Sequence, residues 1–128
     1  MNQGELTKNL QFGMQELQVG NIDVAEQVFK SILAIHSTEI HSLHFLGVLA
    51  CQKGDVGLGI GLIEKSISID PSRLAPFLNL GRFLVDANEY ERAIPVLQEA
   101  VRLDESSFDA WNLLAQAYFH YEDLLSAV

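Results

Sequence analysis

The chain has 128 residues, 48% of them hydrophobic and 20% charged, enough apolar content for one compact domain and too much for a disordered tail. Its formal charge of -9 comes with no basic run and few interleaved aromatics. Counterion release from a phosphate backbone therefore cannot supply affinity, and neither nucleic acid nor an anionic membrane is an expected partner.

The opening stretch MNQGELTKNLQFG is polar and places an acid before a base, which is not the pattern of a secretory signal. No apolar run approaches the roughly 20 residues that span a bilayer. The lone Cys51 rules out an internal disulfide framework and suits a reducing compartment, so a cytoplasmic protein is expected.

Taken in order, the chain reads as helix pairs on a fixed step of 34 residues. In the first repeat, about residues 6–39, Leu6, Leu10, Met14 and Leu17 recur at three- and four-residue steps and share one helical face. Gly20 can close that helix in the left-handed conformation, and Asn21 can cap the next. A second helix is predicted over residues 22–35, with Val24, Val28, Phe29 and Ile32 apolar. The second repeat, about 40–73, breaks at Gly54-Asp55 and ends at Asp70-Pro71-Ser72, where proline forbids helix continuation. The third, about 74–107, breaks at Asn88-Glu89. Its Pro76 falls in a first turn, and Pro95, placed deeper, is expected to kink the second helix or tighten its first turn. The fourth, 108–128, is partial. A weak break is expected at Glu122-Asp123, with the start of a second helix after it.

The recurring columns explain how each pair packs. Gly13, Gly47, Gly81 and Ala115 remove bulk from the first helix of each repeat, and Ala25, Gly59 and Ala93 remove it from the second, with Ala127 in the same column. The backbones can then approach near the lower end of the usual range of roughly 8–10 Å. Phe12, Leu46, Leu80 and Leu114, with Phe29, Ile63 and Leu97, fill the remaining space. A pair this thin must stack on a neighbour to complete its core.

These columns resemble the tetratricopeptide repeat (TPR), with its pattern W-x2-L-G-x2-Y, then A-x3-F, then P. Trp111, Leu114 and Tyr118 carry it in the fourth repeat, with Ala115 in place of glycine. Phe77, Leu80, Gly81, Leu84, Ala93 and Leu97 carry it in the third, with Glu105 where proline is usual. Leu43, Leu46, Gly47, Ala50, Gly59, Ile63 and Pro71 carry it in the second. The first is the most worn, with Asn9, Phe12, Gly13, Glu16, Ala25, Phe29 and Ser37. The resemblance implies an all-α fold in one domain over residues 1–128, three full repeats and a partial fourth in a right-handed superhelix. Phrases such as HSLHFLGVLACQKGD are also similar to the amino-terminal TPR arms of bacterial glycosyltransferases of the O-GlcNAc transferase type.

The resemblance further implies a concave groove lined by first helices. Leu10, Met14, His41, His44, Val48, Cys51, Leu78, Arg82, Asn112, Gln116 and Phe119 would form its wall, an apolar floor with the one cation Arg82 near its centre. Such a floor suits an apolar or amphipathic peptide whose acid meets Arg82. Equally, Leu10, Leu78 and Val85 pack between adjacent first helices, which would close part of it. A chaperone-tail carboxylate clamp is disfavoured, because only Arg82 and Asn112 are present. An asparagine ladder is disfavoured too, because Gln11, Phe45, Asn79 and Leu113 leave one rung.

The expected role is a protein-interaction scaffold without catalytic residues, metal or cofactor. The alternatives are the recognition arm of a larger enzyme such as a glycosyltransferase, and a self-associating structural protein. His41, His44 and Cys51 make a poor metal set, since seven helical residues separate His44 from Cys51 by roughly 10 Å. Gly57, Gly59 and Gly61 glance at a dinucleotide loop but lack its preceding strand and its spacing. They should weaken their helix by about 0.8–1 kcal/mol each. Trp111, Leu114 and Tyr118 are left seeking a missing second helix, through which two copies would associate unless the native chain continues past Val128.

Overall fold

The computed structural model describes residues 1–126; Ala127, expected in the small-residue column, and Val128 lie outside the described residues. Among the described residues every regular element is an α-helix, and there are seven of them. None is long and apolar enough to cross a membrane. Packing divides the chain into two compact units, Met1–Asp70 and the residues from Pro71 onward. The division falls at the proline that the sequence marks as the end of the second repeat.

In the first unit, α1 (Gln3–Gln18) and α2 (Ile22–Ile35) form one pair, and α3 (Ile40–Gln52) and α4 (Val56–Ile69) the next. Two side chains cap the first helices. Asn2 Oδ1 accepts from the Glu5 backbone N–H at 2.8 Å, and the Glu39 carboxylate accepts from the amides of His41 and Ser42 at 3.0 and 2.6 Å. Each removes orphan donors from a helix start. Asn21 stands at the start of α2 as expected, yet does not cap it. Its Nδ2 donates instead to Glu16 at 2.6 Å.

Both pairs turn on a glycine in the left-handed region, Gly20 at φ 92° and Gly54 at φ 97°. The pairs then close on their small residues. A Cβ built on Gly47 would lie 2.6 Å from Ile63 Cγ1 and 2.8 Å from the Gly59 carbonyl oxygen, and one on Gly13 would lie 2.9 Å from the Phe29 ring. Leu6, Ala25, Phe29, Ile32 and Leu46 form a core shared by both pairs, and Phe45 stacks on Phe29 with centroids 5.3 Å apart. Full burial of side chains such as Phe29 and Ile32 contributes about 1.5–3 kcal/mol each. Ser66 Oγ, also buried, donates to the Ile40 carbonyl at 2.8 Å and ties the end of α4 to the start of α3.

In the second unit, α5 (Leu74–Asp86) and α6 (Tyr90–Leu103) pair, and α7 (Phe108–Ser126) packs on α6. Asn88, at φ 60°, makes the turn that glycine makes elsewhere, which asparagine tolerates better than most residues. Leu97 lies against Gly81, where an added Cβ would come within 2.6 Å of Leu97 Cγ. The α6 helix runs unbroken through Pro95 and forgoes the hydrogen bond that this nitrogen would have given. At the next junction Asp104 Oδ1 accepts from the Ser106 amide and hydroxyl, and Ser107 Oγ accepts from the Ala110 amide at 3.2 Å, which starts α7.

Two expectations need correction. The break at Glu122-Asp123 is absent, and α7 is a single helix through both residues. The reason is local. Gly20, Gly54 and Asn88 occupy the left-handed turn position, and one period later stands Glu122, for which that conformation is costly. Phe12, expected to fill space within its pair, is 47% exposed, whereas Leu46 in the same column is 8% exposed.

Candidate functional site

The expected wall residues divide sharply by environment. In the first unit Leu10 and Met14 pack against the core, His44 is buried and stacks on Phe45 at 5.2 Å, and Cys51 is buried. His41 and Val48 are half-buried. The first-unit floor is thus largely packed away, as the alternative of contact between first helices anticipates for Leu10.

In the second unit Leu78 is half-buried and Val85 buried, but Arg82, Asn112, Gln116 and Phe119 are exposed. Leu78 and Asn112 share a column, as do Arg82 and Gln116, and α5 and α7 are in contact. Adjacent first helices therefore present a polar strip with Phe119 at one end. Arg82 Nη1 lies 3.4 Å from Asn79 Oδ1, a long and weak contact that engages one of the guanidinium's five donors. This strip can accept a carboxylate beside an apolar side chain.

Among the described residues no three His, Cys, Asp or Glu side chains converge as a metal site. Burial, then the nearby Asp55 carboxylate, pushes the Cys51 thiol above its ordinary value, the opposite of what a nucleophile or metal ligand needs. Glu26 is held below the usual carboxylate range by hydrogen bonds from Lys53 and then Lys30, the latter at 3.2 Å. That ion-pair cluster links α2 to the end of α3.

Two further surfaces escaped sequence reading. On the outer side of the first pair, Asn9, Phe12, Asp23, Val24, Gln27 and Val28 line an open hollow of about 550 Å³. Phe12 and Val28 stand one period before Leu46 and Leu62, which pack against the core of the first pair. The hollow is thus the stacking face of the first repeat, and the column comparison was the signal that could have found it. The second surface follows from the unbroken α7. Tyr90 stacks on His120 at 5.2 Å, and Asn88, Tyr90, His120, Asp123 and Leu124 line a hollow of about 360 Å³.

Of the three residues expected to mediate self-association, Leu114 is buried, while Trp111 and Tyr118 are 51% and 40% exposed. Trp111 Nε1 donates to the Glu105 carbonyl at 2.8 Å, and Gln98 Nε2 donates to Tyr118 Oη at 2.7 Å, so both rings are held in place.

Helix pairs on a 34-residue step, closed on small residues and turned on left-handed ones, define an all-α helical repeat protein. Its fold is that of the tetratricopeptide repeat, and residues 81–120 match the family model described as TPR repeat. A curated relative, anaphase-promoting complex subunit cut9 of Schizosaccharomyces pombe, is 29% identical over 92% of this chain. The chain spans about a fifth of that protein's length, 19%. Among solved structures, an O-GlcNAc transferase of Thermobaculum terrenum is similar with TM-score 0.83 and 25% identity, over 91% of this chain and 23% of that one. The first TPR of Spaghetti (RPAP3), bound to the HSP90 peptide SRMEEVD, superposes with TM-score 0.86 at 11% identity, over 95% of this chain and 97% of that one.

Proposed function

We propose that the chain is a non-catalytic protein-interaction module that binds a peptide or protein segment along the exposed strip of α5 and α7. The observation that carries this reading is the pairing of exposed Arg82 and Gln116 in one column, with Phe119 close by on α7. Arg82 takes an acidic group of the ligand, Asn112 and Gln116 hold its backbone, and Phe119 meets an apolar side chain. The TPR domain that holds an HSP90 peptide supports a groove of this general kind. In this reading the partner is protein, with neither nucleic acid nor membrane, and the buried free thiol of Cys51 suits a reducing, cytoplasmic setting.

Selection of peptides from a displayed random library on the wild-type chain, with parallel selection on Arg82→Glu, tests it. Peptides with an acid next to an apolar residue should emerge only on wild type, and should bind Arg82→Glu about tenfold more weakly. Equal enrichment on both would overturn the reading.

A second reading, that the chain is the recognition arm of a larger enzyme such as a glycosyltransferase, is favoured by the similarity to the Thermobaculum terrenum transferase, of which it covers 23%. An open reading frame continuing into an α/β region would establish it, and a stop shortly after Val128 would remove it.

A further inference from the structure

Phe119, His120 and Tyr90 form a row of three rings in the second unit. Phe119 meets His120 edge-on with centroids 5.4 Å apart, and His120 stacks on Tyr90 of α6 at 5.2 Å. The row leads from the exposed strip of α7 into the hollow of about 360 Å³ lined by Asn88, Tyr90, His120, Asp123 and Leu124. Along α7 the strip runs Asn112, Gln116, Phe119 and Asp123 at steps of four, three and four, which is one helical face, and all four are exposed. Asp123 therefore belongs to both, as the last residue of the strip and a wall of the hollow.

The chemistry of the hollow selects what enters it. Its lining offers the Asp123 carboxylate and no Lys or Arg. Tyr90 Oη donates to Asn88 Oδ1 at 2.6 Å, so the phenol spends its one proton within the lining and can only accept from a ligand. The Tyr90 ring gives a cation a π face, and Leu124 gives an aliphatic stem an apolar wall. An adjoining hollow shares Asn88, Tyr90 and Leu124 and adds Glu89, Glu91 and Arg92. Arg92 Nη1 lies 2.9 Å from the Glu89 carboxylate, so this side adds acid rather than an uncompensated base. A Lys or Arg side chain fits these surroundings, and a carboxylate is repelled by them.

Spacing ties the hollow to the groove. Arg82 shares its column with Gln116, and Gln116 precedes Asp123 by seven helical residues, a rise of roughly 10 Å. About three residues of extended peptide cover that distance. Phe119 stands between the two ends.

We propose that the hollow of Tyr90, His120 and Asp123 is a socket for a Lys or Arg side chain of the peptide held on the strip. The ligand then reads acid, apolar residue and base, in the order of Arg82, Phe119 and the hollow, with the base about three residues from the acid. This rests on the strip being the peptide site, and it sharpens the ligand from an acidic segment to a zwitterionic one.

The probes are two fluorescently labelled peptides of Gly and Ser that carry a Glu followed by a Leu. A Lys stands three places after the Glu in one, and a Gln in the other. Both are also made in reverse order, because the strip does not fix chain direction. In fluorescence anisotropy the Lys peptide of the tighter direction should bind about fivefold better than its Gln counterpart. That advantage should fall below about twofold on Asp123→Asn, persist on Asp123→Glu and turn into a disadvantage on Asp123→Lys, with circular dichroism unchanged in all three. Arg82→Glu should weaken both peptides and keep their ratio.

Equal binding of the Lys and Gln peptides to wild type overturns the socket, and the groove reading survives this if Arg82→Glu still weakens both. An advantage that outlasts Asp123→Asn and Asp123→Lys also overturns the socket, because the base would then sit elsewhere. Indifference of both peptides to Arg82→Glu overturns the groove reading, and with it the order of acid and base. The same titrations on any longer native chain that contains these residues should give the same ratio. Loss of the advantage there would make a following segment of the same chain the occupant and overturn the proposal.

Discussion

The backbones of Gly47 and Gly59 touch. A Cβ built on Gly59 would stand 2.5 Å from the Gly47 carbonyl oxygen, a separation that side-chain rotation cannot relieve because the obstacle is main chain. The crossing of α3 and α4 therefore requires hydrogen at both positions. Gly57 and Gly61, on the same helix as Gly59, have nothing within 4 Å of a built Cβ.

That contrast predicts opposite outcomes for one substitution in one helix. Gly61→Ala should stabilise by about 0.8–1 kcal/mol, and Gly57→Ala, in the first turn, by less. Gly59→Ala should destabilise by about 1–3 kcal/mol through overpacking. Urea denaturation of the three variants beside wild type measures all of this, and a stabilised Gly59→Ala would refute the close crossing. Hydrogen exchange offers a second check, since α4 should be the least protected helix of the first unit until Gly57 and Gly61 are replaced.

The left-handed turns make a second prediction. Gly54→Ala forces a Cβ into φ 97° and should cost about 1–2 kcal/mol, although nothing lies near that side chain. Asn88→Gly, at φ 60°, should be close to neutral, because the backbone conformation is kept and the Asn88 Oδ1 contact with Tyr90 Oη at 2.6 Å is exposed. Thermal melts of both variants decide it.

Acid should loosen the joint between α2 and α3. Glu26 has a depressed pKa in the folded chain, so its contribution is fully present above the ordinary carboxylate pKa and is lost as pH falls through the lower folded value. The stability difference between wild type and Glu26→Gln should therefore shrink steadily on titration from neutrality into the acid range. It should also shrink with added salt, because Lys30 and Lys53 are about half exposed. A difference that stays constant with pH would exclude the ion-pair cluster as its source.

Cys51 should resist thiol reagents in the native chain. Burial raises its pKa and limits access, so an aromatic disulfide reagent should react in proportion to unfolding, and fast stoichiometric labelling of the folded chain would contradict the buried placement.

Most of the architecture was readable from the letters because it rests on local, periodic signals. The second helix was bounded at residues 22–35 from its apolar spacing and from Gly20 before it, and Ile22–Ile35 is what forms. The tight crossings were legible as small residues every 34 positions. Three things were not. Helix periodicity places Leu10, Met14, His44 and Cys51 on an inward face, but how far neighbouring helices close over that face depends on three-dimensional packing, and they close enough to bury His44 and Cys51. Asn21 has two competing uses, and the Glu16 carboxylate in reach won over the cap. The hollow at Phe12 is invisible to composition, because a phenylalanine at an outer face and one in a core are the same letter.

Where Gly20, Gly54 and Asn88 reverse the chain, Glu122 carries α7 straight on to Ser126. A Glu122→Gly exchange would restore the residue type that Gly20 and Gly54 supply at the earlier bends. A one-residue change at that bend therefore sets where α7 stops, and with it how much of the helix stays available as a single straight edge.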